Sequence, residues 1–561
     1  MEFAYVQPMT DLTEDIRREI GQHFVFGFHG HDVNDDIRIL ICDYFLGNVI
    51  LMKRNVQSIV QVRALVRKLQ LLAKEAGHKR PLMIGIDQEN GLVSAFSLSF
   101  TDDAGTQFPG AMALAASGSP ELAERVSHAS GRELRLAGIH WAYSPVADIN
   151  SDPRNPVIGV RSYGDDPNEV ALYVQAVSRG LISAKIAPSA KHFPGHGNTH
   201  IDSHLNLPRI MTCQKDLAAT ELVPFQALVD SGIPSIMTGH MALPLITDDD
   251  TPCSLSRQIT TGLLREEMGF KGVIVTDCLE MEAVASKYGA EGGAVMSLQA
   301  GADIVMICHQ YSRHMGALEA AYTAVREGKL SIDALRVSGV RINALKDEFA
   351  GAWDDVFSSG LEPDELSRLK QENILLAQHA YARSVAVIRD PVGTLPLSTN
   401  GHAVLFTPRM ESINLAVDDA EGKLRDSQRR LRNTAGPSYQ AFAASISQRV
   451  LVPVKHIVYA PDEEISDSIK ESLRAATSVI FATRNGLDHG EWQIGVVRRV
   501  VETVDSSKLA LVSTCAPYDL LAMQGVNAPC LATFEFTVPA LRAAVAVIFG
   551  ETTAVGTVPV K

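Results

Sequence analysis

Between residues 191 and 204 the chain reads KHFPGHGNTHIDSH, and six of those fourteen residues can hold or move a proton: Lys191, His192, His196, His200, Asp202 and His204. Pro194, Gly195 and Gly197 interrupt the backbone, so the segment must turn instead of continuing as helix or strand. Titratable groups concentrated on a turning loop point to chemistry.

Three chemistries fit those residue types. The histidines fall at 192, 196, 200 and 204, a spacing that on a helix would put them on one face, as in a zinc site. Pro194 and the two glycines oppose such a helix, so no metal is expected. A hydrogen-bonded surface loop without a catalytic role is the second reading. The third rests on Asp202-Ser203-His204. In an extended segment residues i and i+2 point the same way, so Asp202 could fix the tautomer of His204 and stabilise its protonated form. That is the orienting carboxylate of a triad whose nucleophile comes from elsewhere, and it is the preferred reading.

The elements that must position this loop alternate. Short apolar runs at 25–30, 48–52, 82–87, 141–148, 189–193, 235–240, 273–277 and 304–307 read as strands. Stretches of helical period separate them, among them 120–138, with Ser119 as N-cap and Pro120 at the first helical position. Eight such units predict a (β/α)8 TIM-type barrel over residues 1–350. Five strands end in a polar residue: Asp87, Asp148, His192, His240 and Asp277. A barrel gathers those ends into one mouth. Asp277 follows VIVT and precedes a helix, which suits either an anionic nucleophile or a hydrogen-bonding anchor.

A connecting segment is expected over 351–380, followed by a second domain over 381–561. There SVAVIRD, HAVLFTP, HIVYAP, SVIFAT, KLALVST and CLATFEF read as continuous apolar strands, the pattern of a mostly parallel sheet covered on both faces. No GxGxxG or P-loop is present, and no cofactor is expected. Segment 411–450, rich in Asp, Arg and Ser, has no place in this scheme and reads as a peripheral helical insertion. DHGEW at 488–492 offers Glu491 as an acid/base or as part of a solvated loop; the loop is preferred.

Composition narrows the partners. The 561 residues are 46% apolar and 21% charged with net charge −14 and no basic tract, which opposes nucleic-acid binding. No apolar run has the length of a membrane span, and MEFAYVQPMTDLTEDIRREI lacks a signal pattern, so a cytoplasmic or otherwise intracellular protein is expected. Seven scattered cysteines without CxxC spacing read as reduced thiols. Nothing in the sequence sets an oligomeric state.

The loop KHFPGHGNTHIDSH, the strand end GVIVTDCLEM, the segment PVADINSDPRNPVIGVRSYGDD and the run IGIDQENG together resemble glycoside hydrolase family 3, specifically its β-N-acetylglucosaminidase branch. The similarity runs from about residue 10 to the final GTVPV. It implies a barrel followed by an αβα sandwich, and a retaining, exo-acting enzyme that releases terminal N-acetylglucosamine from a carbohydrate substrate. The resemblance further implies Asp277 as nucleophile, His204 as acid/base and Asp202 as its orienter. Asp87, Arg161, Lys191 and His192 would bind sugar hydroxyls where the bond is cleaved. A histidine of ordinary pKa, about 6.5, can donate and then recover a proton near neutral pH. Replacing an anionic Glu with neutral His also lowers repulsion toward an anionic acceptor, so phosphorolysis is a related activity to consider. A β-glucosidase dependent on Glu491 and an inactive sugar-binding paralogue are the other readings; the intact KH, DSH and TD elements oppose the last. One departure bears on substrate. Peptidoglycan-recycling members read EGGxVxR after the strand-end Asp, whereas this chain reads ENGLVSAF, with Asn90 for a glycine and Ala95 for the arginine. Chito-oligosaccharides and glycan-derived N-acetylglucosamine therefore stand beside muropeptides.

Overall fold

The computed structural model describes residues 12–97, 103–358, 363–391, 393–409, 435–461, 465–486, 491–521, 523 and 525–561. Eight strands close a barrel: β1 (Phe24–Phe26), β2 (Asn48–Leu51), β3 (Met83–Ile86), β4 (Trp141–Ala142), β5 (Ala187–Phe193), β6 (Ser235–Thr238), β7 (Val273–Cys278) and β8 (Ile304–Ile307). Each pairs in parallel with the next in sequence, and β8 returns to β1. These strands read as unbroken apolar runs because both of their faces are buried. Val25, Ile50, Met83, Met237, Val275 and Met306 fill the barrel, while Phe24, Phe26, Val49, Ile84, Ile236 and Val305 face the surrounding helices. Parallel closure places every C-terminal strand end on one rim.

Local rules set the helices. Ser119 accepts the N–H of Leu122, Pro120 occupies the first turn, and Pro120–Leu136 buries Leu122, Val126 and Leu134. The expected strand over 141–148 is shorter than its pattern. It ends at Ala142 because Pro145 has no N–H to donate to a ladder. Pairing resumes as a single bridge between Val146 and Lys191, where the Ala147 N–H donates to the Lys191 carbonyl at 2.6 Å.

Beyond helix Pro363–Ser384 lies a six-stranded sheet of β9 (Ala386–Arg389), β10 (His402–Pro408), β11 (Val452–Tyr459), β12 (Ser478–Thr483), β13 (Leu509–Ser513) and β14 (Cys530–Ala532). The order is β9-β14-β13-β12-β10-β11, parallel throughout except for the antiparallel edge strand β9. Helices Gly436–Ser447 and Val538–Ile548 cover one face through Tyr439, Phe442, Leu541 and Val545. Val496, Val497 and Val500 of helix Glu491–Val501 cover the other. The expected αβα sandwich is present.

The expected insertion over 411–450 falls largely outside the described residues, as does 488–490 of the DHGEW cluster. Helix Gly436–Ser447 corrects the part that is described. It is a core layer of the sandwich, because its apolar face is large enough to close the sheet. A buried carboxylate ties the two halves: Glu535 accepts the Gly110 N–H at 2.7 Å and the Tyr381 hydroxyl at 2.8 Å. Among the described residues no helix is long and apolar enough to cross a membrane.

Candidate active site

Past β5 the chain enters the histidine-rich loop at the barrel rim. Gly195 sits at φ +127°, and a Cβ on Gly197 would lie 1.5 Å from the Ile149 carbonyl oxygen, so the close approach requires glycine there. The four histidines diverge. His192 Nδ1 meets Asp148 Oδ2 at 2.7 Å, and His196 Nε2 meets the Ser203 hydroxyl at 2.9 Å. His200 is 65% exposed, and His204 pairs with Asp202. They share no common centre.

Asp202 Oδ1 accepts both the backbone N–H of His204 and its ring Nδ1–H, each at 2.8 Å. The i, i+2 spacing therefore works through a turn, not through the extended segment expected from sequence. The Asp202 carbonyl accepts the N–H groups of Leu205 and Asn206, which curls the chain after the dyad. Burial would raise Asp202, but the His204 contacts outweigh it and hold the carboxyl below the usual range. A carboxylate has no proton to give, so Nδ1 must be the donor and Nε2 is the exchangeable position of His204. Asp202 is buried, whereas the His204 side chain is 29% exposed.

Four further charged groups interlock. Lys191 Nζ lies 2.6 Å from Asp87 Oδ1 and 2.7 Å from Glu89 Oε1. Arg161 grips Glu89 with two donors, Nε at 2.9 Å and Nη2 at 2.7 Å. Burial opposes the charge on Glu89, yet Arg161 and Lys191 hold its carboxyl down at about 2. In turn Asp87 and Glu89 raise Lys191, and Glu89 raises Arg161, against their own burial. Arg161 Nη2 also lies 3.5 Å from His192 Nε2. Burial opposes the charge on Asp148 as well, but His192 and His196 keep it ionised, so His192 Nδ1 donates and its Nε2 lone pair faces Arg161. Of the network's carboxylates Asp87 is the open end, at 28% exposure.

Asp277 is the penultimate residue of β7 on the same rim, partly exposed. It does not cap the following helix, which begins at Glu282 behind Met281. Its Oδ1 accepts the Cys278 N–H at 2.7 Å. Burial would raise it, but His192 and His240, then the Cys278 N–H and His204, hold the carboxyl below the usual range. His240 is buried by burial's own logic as a neutral ring: Nε2–H donates to the Cys278 carbonyl at 3.0 Å, and Nδ1 takes the Ser254 hydroxyl at 2.7 Å.

All seven residues singled out from sequence, Asp277, His204, Asp202, Asp87, Arg161, Lys191 and His192, thus belong to strand ends or loops at one rim. Glu89 was missed. Its signal was its position two residues after Asp87 at the same strand end, where side chains leave in a common direction. His196 was named in the loop without a role of its own; its contact with Ser203 supports the turn between Asp202 and His204. Glu491 opens a sandwich helix and is exposed.

Residues 15–345 match the N-terminal domain of glycosyl hydrolase family 3. Beta-hexosaminidase A of Pseudoalteromonas piscicida is 28% identical over 93% of this chain and 90% of its own. The structure of a glycoside hydrolase family 3 beta-N-acetylglucosaminidase from Paenibacillus sp. str. FPU-7 superposes with a TM-score of 0.84 at 30% identity, covering 98% of this chain and 99% of that one. A fungal multi-domain GH3 beta-N-acetylglucosaminidase gives a TM-score of 0.87 at 36% identity over 97% of this chain, which spans 60% of the fungal protein. With the barrel, the sandwich and the rim in place, the match decides the kinship: this chain is a glycoside hydrolase belonging to glycosyl hydrolase family 3.

Proposed function

We propose that the protein is a retaining, exo-acting β-N-acetylglucosaminidase that removes terminal N-acetylglucosamine from chito-oligosaccharides or other glycoconjugates. The chemistry would reside in the barrel, residues 1–350, joined through 351–380 to the sandwich at 381–561. Asp277 is the nucleophile, attacking the anomeric carbon as the glycosidic bond breaks. His204 Nε2 delivers its proton to the departing oxygen, then takes one from the water that releases the sugar. Asp202 holds the ring and balances its charge. Asp87, Arg161, Lys191 and His192 bind the sugar hydroxyls, with Glu89 fixing both cations in place. The observation that carries this reading is an ionised Asp277 on the same rim as an imidazole whose one free nitrogen is left by Asp202.

The test is stereochemical. Proton NMR of the first product from an aryl β-N-acetylglucosaminide should show the β-anomer, and a fluorinated slow substrate should leave one sugar on the peptide containing Asp277. An α-anomer formed first, or a label on another peptide, would contradict the mechanism. Faster turnover of a β-glucoside than of the N-acetylglucosaminide would contradict the specificity.

A further inference from the structure

The rim carries a second group of ligating side chains that this hydrolytic chemistry leaves unused. Cys278 closes β7 directly after Asp277, and Cys308 follows β8, the adjacent strand, whose Met306 is in register with Cys278. The two sulfurs and a ring nitrogen of His309 all lie within 4.8 Å of one another. Both thiols are buried and His309 is exposed, so the group opens to solvent on one side. Glu280 fixes the frame: it accepts the N–H groups of Cys308, His309 and Gln310 at 2.9, 2.6 and 3.0 Å. One of its oxygens also lies 3.7 Å from Cys278 Sγ. Met281 and Met306 belong to the same buried cluster as the two cysteines, which makes the surroundings rich in sulfur.

Two thiolates and an imidazole with one side open to water form the donor set of a three-ligand zinc site. Soft sulfur donors select zinc over magnesium or calcium. We propose that Cys278, Cys308 and His309 bind Zn²⁺, and that the bound ion inhibits hydrolysis by displacing Asp277. Each thiol gives its proton to solvent as its sulfur–zinc bond forms, and no electron is transferred. Arg54 Nη1, 3.2 Å from His309 Nδ1, gives up that contact to the ion. The coupling runs through one atom: the Cys278 N–H holds Asp277 Oδ1, so drawing Cys278 toward Cys308 moves the donor that positions the carboxylate. The inhibitory half rests on the role proposed for Asp277; the binding half does not.

The experiment uses the full chain, reduced, with Co²⁺ as an optical stand-in for Zn²⁺. A thiolate-to-cobalt charge-transfer band should appear, saturate at one ion per chain and vanish on adding zinc. Cys308→Ser should abolish the band and His309→Ala should weaken it, while both keep metal-free hydrolysis. Wild-type hydrolysis should fall in proportion to zinc bound and return with chelator, and Cys308→Ser should resist zinc. No band, or a band surviving Cys308→Ser, overturns the site. Should that variant fail to fold, an unchanged band in His309→Ala, whose side chain is exposed, overturns it equally. Zinc that occupies the site and leaves wild-type hydrolysis intact overturns the inhibition alone.

Discussion

A single oxygen of Asp202 holds His204 by both its backbone and its ring, at 2.8 Å each. One contact sets where the residue sits, the other which nitrogen is free. The pair should therefore behave as one unit in the proposed acid/base role, and this has kinetic consequences.

Removing the imidazole with His204→Ala should lower kcat/KM by roughly 10²–10⁴-fold for substrates with poor leaving groups. Activated aryl glycosides, which depart without a proton, should lose less. Asp202→Asn should cost less than His204→Ala and shift the corresponding limb of the pH–rate profile toward acid, because the ring loses its anionic partner. The double variant should be little worse than His204→Ala alone. Steady-state kinetics of the three variants check this; losses that multiply would mean that the residues act separately.

Asp277→Ala should lower kcat by roughly 10⁴-fold or more, since no neighbouring group can take over the covalent step. The fold should be retained, because Asp277 is partly exposed and its described hydrogen bond is to its own neighbour's N–H. Retention of more than a few per cent of wild-type turnover, roughly one part in thirty by this reasoning, would remove Asp277 from the nucleophile role.

Chelation should not lower hydrolysis. The loop histidines are separately committed to Asp148, Ser203 and Asp202, with His200 in solvent, so they do not form a common metal site. EDTA treatment followed by assay decides the point; lost activity restored by zinc would contradict it.

What the sequence made legible was whatever depends on neighbours along the chain. Strand runs, the Ser119–Pro120 helix start and the i, i+2 dyad all follow from local spacing. The turn geometry of the dyad was not legible, since an Asx turn and an extended segment both bring i and i+2 together. Pro145 could have warned that the run at 141–148 would break, but its apolar pattern outweighed a single residue. Glu89, and the pairing of Asp148, were hidden for a different reason. Their partners, Arg161 and Lys191 for one and His192 for the other, lie on other strands, and only barrel closure reveals that those charges meet.

Glu89 carries a stability prediction of its own. It is buried and neutralises both Arg161 and Lys191, so Glu89→Ala leaves two buried cations short of an anion. Breaking such a network from one side costs about 3–5 kcal/mol. Asp87→Asn, at the exposed end, should cost far less stability while still weakening substrate binding. Urea midpoints and KM for the two variants separate these effects; equal destabilisation would contradict the difference in burial.

Acid should destabilise the fold in two stages. Burial lowers His78 and His196 to about 4 and His140 and His314 to about 3, so the folded protein holds these rings neutral. An unfolded histidine takes its proton at about pH 6.5, and each unit of difference is worth about 1.4 kcal/mol. Where the unfolded chain binds more protons, stability falls as pH falls, so loss begins below about pH 6.5 and continues until the folded rings titrate. Glu89 adds the second stage. Its folded carboxyl stays ionised down to about 2, and the unfolded one protonates nearer 4.3, so its contribution disappears as pH falls through that lower window. Urea midpoints should therefore decline without a plateau as pH falls below about 6.5. His314→Phe, which keeps an aromatic ring against Phe26 where the two now stack at 4.4 Å, should show a shallower decline in the first window. An unchanged slope in that variant would mean that His314 is not among the groups that set it.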